Sequence, residues 1–414
     1  MVPKGWVRRS LGEVLEVKHG FAFQSEFFSS SRTPFKLLTP GNFAEEGGFR
    51  DTGAKQRYYS GPVPEDYILQ HGDLLVAMTE QAPGLLGSSL LVPEGRTFLH
   101  NQRLGRVLII RPDLANKDYL YHLFNSSPVR KRIAKTAAGT KVRHTSPDRI
   151  KAVVCALPPK EEQVRLAQVL STADQAIAAA TALLAAKQIL FKALMQQLLT
   201  GKRRLTGFRK PWKKALLSDL VADAQRPVTW REETLYRLAS VRRWSGGVFE
   251  REALFGHQIK VKKLKTIKEG DLLISHIQSA YGAMALVPRE FDGMQVSDLY
   301  TVLVPRDPAT LDIRFLGYLS QRKRMWHQAY LASNGFFAER LRLNFDPVEF
   351  LSHAILVPPE IGEQQQIVQI LDTSTREIDL LQRHLDLLKL QKRGLMQRLL
   401  TGQVRVKEKG ATHG

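Results

Sequence analysis

The sequence predicts an α+β chain: two mixed α/β globules joined by two long helices that form an intramolecular antiparallel coiled coil. Three observations predict it. First, the chain repeats itself: residues 194–202 read Leu-Met-Gln-Gln-Leu-Leu-Thr-Gly-Lys and residues 395–403 read Leu-Met-Gln-Arg-Leu-Leu-Thr-Gly-Gln. An internal repeat fixes architecture before any single residue is interpreted. Second, each copy ends a long heptad pattern that starts just after a Pro-Pro pair, Pro158-Pro159 and Pro358-Pro359. Third, short alternating apolar runs between turn residues precede each pattern, as strands do. The chain divides into a first globule (1–157), a central helix (158–203), a second globule (204–357), a distal helix (358–403) and a flexible tail (404–414).

The globules repeat in matching order. Each opens with a tryptophan, basic residues and a short helix signal, at 6–14 and 212–220. Gly-Asp-Leu-Leu follows at 72–75 and 270–273, then Leu-Val-Pro at 91–93 and 286–288. Strands are expected at 106–110 and 300–304, and one helix after each, near 117–135 and 312–331. A glycine turn comes next, at Gly139 and Gly335, and then an apolar strand at 152–157 and 354–357, before Pro-Pro.

In the central helix, steps of four and three pick out Leu166, Leu170, Ala173, Ile177, Ala180, Leu184, Lys187, Phe191, Leu194 and Leu198. In the distal helix they pick out Ile367, Leu371, Ser374, Ile378, Leu381, Leu385, Leu388, Lys392, Leu395 and Leu399, at a constant offset of 201. Such spacing over more than four heptads is a coiled-coil seam. The alanine-rich central helix has high helix propensity and lets backbones approach closely. Gly201 and Gly402 sit where a helix C-cap is expected. Each helix is roughly 60 Å long, and the second globule is roughly 40 Å across. A parallel pair would separate that globule's two ends by a helix length, so antiparallel pairing within the chain is expected.

At 414 residues with ordinary apolar content, the chain can bury two to three cores. Its formal net charge is +21 and its pI about 10.0, which points to a polyanion partner, above all nucleic acid. No lipidation motif, basic amphipathic segment or fully apolar eighteen-residue run suggests a membrane partner. The one cysteine, Cys155, lies in an apolar run and excludes a disulfide framework, which favours the cytoplasm. No phosphate-cradling loop, dinucleotide fingerprint or zinc spacing appears, so no catalytic residue or metal ligand is assigned, and the chain is expected to bind no cofactor itself.

Basic clusters recur at 130–132, 141–143, 202–204, 260–265, 322–324 and 340–342. The pairs 130–132 with 322–324, and 141–143 with 340–342, are expected to be equivalent phosphate anchors. Polar side chains near them are the candidates for reading base edges. In the first globule the DNA-binding candidates are Gln24, Asn42, Thr79, Gln81, Asn101, Gln102, Arg103, Lys141, Arg143 and His144. In the second they are Arg242, Arg243, His276, Gln278, Tyr281, Asp298, Arg340 and Arg342.

Pro-Pro, then Glu162-Gln163 or Glu363-Gln364, then a heptad helix ending in Leu-Leu-Thr-Gly, resembles the conserved regions of type I restriction–modification specificity subunits. The globules resemble that family's target recognition domains. One departure is an extra residue around Gly362, which moves the offset from 200 to 201. The resemblance implies a non-catalytic, double-stranded DNA-binding subunit whose two domains each read half of a bipartite target, with the helices as a spacer ruler. It implies two modification subunits that transfer methyl from S-adenosylmethionine to adenine N6, and restriction subunits that use ATP and Mg. A coiled-coil assembly scaffold without sequence readout is the competing expectation, and a self-contained nuclease or RNA-binding repeat protein a third.

Overall fold

The structure is a computed structural model that describes residues 2–81, 84–95, 97–334 and 344–406. It divides into two compact units, residues 1–181 with 383–414, and residues 182–382. Both long helices, Lys160–Leu198 and Ile361–Leu399, are shared between them.

In the first unit a four-stranded antiparallel sheet runs in the order Leu15–His19, Leu104–Ile109, Leu74–Ala77, Ser89–Leu91. Helices Lys117–Phe124 and Ser127–Lys135 follow it. They replace the single helix expected over 117–135, because Pro128 has no N–H to continue the ladder and instead starts a second helix behind Ser126. A second sheet of five strands carries Phe28–Ser29, Tyr58–Tyr59, Phe35–Leu38, Thr97–His100 and Ile68–Leu69. Val7–Ser10 pairs antiparallel with Val154–Leu157 and delivers the chain to the central helix.

The second unit repeats this layout. Its sheet runs Val221–Asp223, Tyr300–Pro305, Leu272–Ser275, Met284–Leu286. Helices Ile313–Ser320 and Lys323–Leu331 follow, again two where one was expected over 312–331. Lys213–Leu216 pairs antiparallel with Ala354–Val357. The difference is the second sheet, here four strands led by the long hairpin Leu235–Val241 and Val248–Phe255.

The long helices pair antiparallel inside each unit. In the first unit Leu166, Ala167 and Leu170 share a core with Met396, Leu399 and Leu400. Glu162 meets Arg405, and Asp174 meets Lys392 at 2.5 Å, so rising numbers on one helix face falling numbers on the other. In the second unit Leu198 and Leu199 share a core with Ile367, Val368 and Leu371. There Lys187 meets Glu377 at 2.6 Å and Arg204 meets Glu363. Every seam position named above is buried or half-buried, whereas Leu183, Ile189, Leu190, Leu380, Leu387 and Leu390 are exposed. The polar interruptions are accommodated: Lys187 and Lys392 are ion-paired, and the Ser374 hydroxyl donates to the Ile370 carbonyl at 3.0 Å. By length and composition the central helix is apolar enough to cross a membrane, with a mean hydropathy of 1.5 over its most apolar window. That exceeds the reading of the sequence and follows from its many alanines.

The repeated Glu-Gln pair explains how each helix start is held. Gln163 donates to the Leu114 and Pro158 carbonyls and accepts from the Asn116 amide. Gln364 repeats this with Thr310, Pro358 and Asp312. Glu162 accepts from the Trp6 indole at 3.2 Å and from Arg405, and Glu363 accepts from the Trp212 indole at 3.2 Å and from Arg204 at 2.6 and 2.8 Å. The extra residue falls in the turn before Ile361 and leaves both helices at 39 residues. At the far ends Gly201 and Gly402 take φ of 68° and 70°. The amides of Arg203 and Val404 then close caps onto the carbonyls of Gln197 and Arg398, six residues back.

Candidate nucleic-acid interface

In the first unit, backbone hydrogen bonds tie four loops into one edge. The Phe21 amide donates to His100, and Gln102 returns a bond to Phe21. Met78 donates to the Arg103 carbonyl, Thr145 donates to Met78, and Arg143–His144 pairs with Thr79–Glu80. Gln24, Gln81, Gln102, Arg103, Lys141 and His144 are exposed along these loops. Their chemistry suits base-edge and phosphate contacts: amides that donate and accept, and cations.

The other first-unit candidates support the loops from inside. Asn42 is 1% exposed, and its amide donates to Gln56 at 2.9 Å while its carbonyl oxygen accepts from the Thr39 amide. Asn101 is buried and accepts from the Arg103 amide, which shapes the turn that presents Gln102 and Arg103. Thr79 is buried and bonds the His144 ring at 3.2 Å. Arg143 is held by the buried Glu80 at 2.9 Å, and the same carboxylate collects the amides of Gly84, Leu85 and Leu86. Asn42, Thr79 and Asn101 are thus buried, and Arg143 is half-buried with its guanidinium bonded to Glu80 and to the Ala134 carbonyl.

In the second unit Arg242, Arg243, Gln278 and Tyr281 converge. The hairpin tip at 242–247 is bonded to the loop at 278–282 through Trp244 to the Tyr281 carbonyl and Ser245 to the Gly282 carbonyl. The Arg242 guanidinium lies 4.3 Å from the Phe249 ring centre and Arg243 5.2 Å from that of Tyr281. His276 is half-buried and bonded to the Thr301 hydroxyl at 2.8 Å, and burial first, then Lys265, lowers its pKa. Asp298 is exposed. Gly335, Arg340 and Arg342 lie outside the described residues.

Of the paired basic clusters, 130–132 and 322–324 are not equivalent as expected, while 340–342, the counterpart expected for 141–143, lies outside the described residues. Helices Ser127–Lys135 and Lys323–Leu331 superpose by order and length, which places Arg130–Arg132 opposite residues 326–328, not Arg322–Arg324. Buried Val129 and Ile133 then match buried Met325 and Ala329. Nor is each cluster free for phosphate. Arg130 donates to the Glu45 and Gly84 carbonyls, Arg132 to Val154, and Arg322 to Leu199 at 3.2 Å. Burial lowers the pKa of Arg130 and Arg322.

Ser171, His122 and Asp174 bring together the residue types of a hydrolytic triad, but His122 is fully buried. Its pKa falls to about 3 through burial and then Lys392, which takes the Asp174 carboxylate at 2.5 Å. The cluster fastens a globule helix to both long helices. Among the described residues no group of three or more His, Cys, Asp or Glu could hold a metal ion.

A model of the type I restriction modification DNA specificity domain matches residues 3–186. The chain is similar to the type I restriction enzyme EcoBI specificity subunit of Escherichia coli, 28% identical over 169 residues, which are 40% of this chain and 32% of that protein. It is similar to the type I restriction enzyme MjaVIII specificity subunit of Methanocaldococcus jannaschii, 26% identical over 213 residues, 49% of this chain and 48% of that one. The chain thus spans a third to a half of these relatives' length. Its fold is similar to the crystal structure of a type I restriction–modification S subunit from M. genitalium, with a TM-score of 0.60 and 13% identity over 96% of this chain and 99% of that one.

Each unit carries an α+β globule beside parts of the two long helices, with a different set of polar loops in each copy. Residues 3–186 match the type I restriction modification DNA specificity domain, and the chain as a whole shares the fold of a type I S subunit.

Proposed function

We propose that this chain is the non-catalytic specificity subunit of a type I restriction–modification complex in the cytoplasm. Each unit reads one half of an asymmetric bipartite target in double-stranded DNA, and the two helices set the spacer. The helices also dock two modification subunits, which methylate adenine N6, and the complex recruits restriction subunits for cleavage. S-adenosylmethionine, ATP and Mg belong to those partners. A target adenine lies inside the base stack, so the modification subunit extrudes it.

The observation that carries this reading is one scaffold with two unlike loop sets. Equivalent sheets, helices and Glu-Gln latches support Gln24, Gln81, Gln102 and Arg103 in one unit, and Arg242, Arg243 and Gln278 in the other. A scaffold that only assembled partners would have no use for that difference. The net charge of +21 supplies the salt-sensitive part of the affinity. The exposed Leu183, Ile189 and Leu190 offer apolar surface for a partner's helices.

Binding of the assembled methyltransferase to a randomised duplex pool tests the reading. Arg103→Ala should relax discrimination at one base position by about 1–3 kcal/mol, while Lys141→Ala weakens all duplexes alike and lowers the salt slope by about 1. Uniform losses from both variants would support the scaffold reading instead.

A further inference from the structure

The hairpin tip of the second unit carries a feature that base-edge readout does not require. Trp244 and Ser245 are the non-glycine residues with positive φ among the described residues, at 59° and 56°. A left-handed backbone under a bulky side chain is strained and persists only where its surroundings hold it. Here the two hydrogen bonds to the 278–282 loop hold it, and they leave Trp244 63% exposed.

Trp244 forms one wall of a cavity of about 340 Å³, with Tyr281, Trp326 and Tyr330 as the other aromatic walls and Lys323 and His327 among its lining. That volume lies at the small end of ligand pockets. The Trp244 ring centre is 5.6 Å from Trp326 and 5.8 Å from Tyr281. Trp326 is fixed in advance. Its indole donates to the Ser320 carbonyl at 2.8 Å, and its ring lies on Gly282, where a Cβ would come within 2.3 Å.

The scaffold does not need these aromatics. In the first unit the positions of Trp326, His327 and Tyr330 are held by Arg130, Lys131 and Ala134, and the helix is the same length. Nor does the lining suit a cationic guest, for it contains no carboxylate and Lys323 stands in it, with Arg243 stacked behind Tyr281. Flat aromatic faces beside cations match a nucleotide: the base stacks and the phosphate is neutralised.

We propose that this pocket receives a single nucleobase displaced from the duplex stack beside the half-site read by the second unit. The inference rests on the DNA-recognition reading above. Extrusion costs least for a base that is already unpaired, so the probe is a duplex bearing the cognate site and one unpaired adenine at its edge. The full chain with its modification subunits should bind this duplex about tenfold more tightly than the fully paired one. Trp244→Ala, at an exposed position, should abolish that preference, and Trp244→Phe should retain most of it. Equal binding of the two duplexes by the unaltered protein, or a preference that survives Trp244→Ala, overturns the pocket's assignment. In both cases the preference for cognate over scrambled paired DNA stays intact. Loss of that second preference in the unaltered protein would instead overturn the DNA-recognition reading.

Discussion

Glu363→Ala should lower the unfolding free energy by about 3 kcal/mol. The carboxylate is fully buried and accepts three hydrogen bonds, two from Arg204 and one from the Trp212 indole. Truncation strands a guanidinium and an indole N–H that the fold has desolvated, and that penalty dominates the change. Arg204 retains some contact with water, which keeps the loss below the upper end for a buried pair. Glu363→Gln keeps an acceptor for Trp212 and should cost less. Glu162→Ala should behave like Glu363→Ala, since Trp6 and Arg405 meet it in the same way. Breaking the exposed Lys262–Glu232 pair should change little. Denaturant titration of the variants checks this, and a loss below about 1 kcal/mol for Glu363→Ala would show that the latch is not a stability determinant.

Leu184→Asp should be at least as damaging, and its effect should fall on the helix pair. Leu184 is 7% exposed in a stretch of the central helix whose other faces are open to water. An aspartate there buries a charge with no designed partner, at a cost of several kcal/mol. Leu385→Asp, at 4% exposure on the distal helix, is the matching change. Unfolding experiments should show early loss of helical circular dichroism in both, and assembly with the modification subunits should weaken in parallel. Ile189→Asp, at an exposed position one turn away, separates the two effects: stability should be kept while assembly suffers. Normal stability in both leucine variants would mean that the seam has been misassigned.

The helix pair was legible because its physics is local. A heptad repeat needs only spacing to be recognised, and every seam leucine and isoleucine it selected is buried or half-buried. The order of sheet and helices was legible too, because Gly-Asp-Leu-Leu and the apolar strand before Pro-Pro mark the same places in both copies. The helix break at Pro128 was also written in the sequence, since a proline behind two serines starts a helix more readily than it continues one.

The candidate site was legible only in part, because burial is not a local property. Asn42, Thr79 and Asn101 have the chemistry of base readers, but the fold buries them: Asn101 shapes the turn of Gln102 and Arg103, Thr79 bonds His144, and Asn42 holds its own loop through Gln56, while half-buried Arg143 is tied to Glu80. The basic clusters misled for a second reason: similar composition suggested an equivalence that helix register contradicts by four residues. Arg204 and Arg405 were missed as latches. The signal was present, because both stand four residues after the threonine of Leu-Leu-Thr-Gly and keep the offset of 201. Trp244 was visible as part of a divergent loop, but only its backbone conformation and its neighbours single it out.

Replacing residues 204–357 with the corresponding domain of another family member, then sequencing the methylated genome, tests the central claim most directly. The account predicts that one half of the methylated motif changes while the other half and the spacer between them stay the same. A motif that changes in both halves, or one that does not change at all, would contradict two units reading independently.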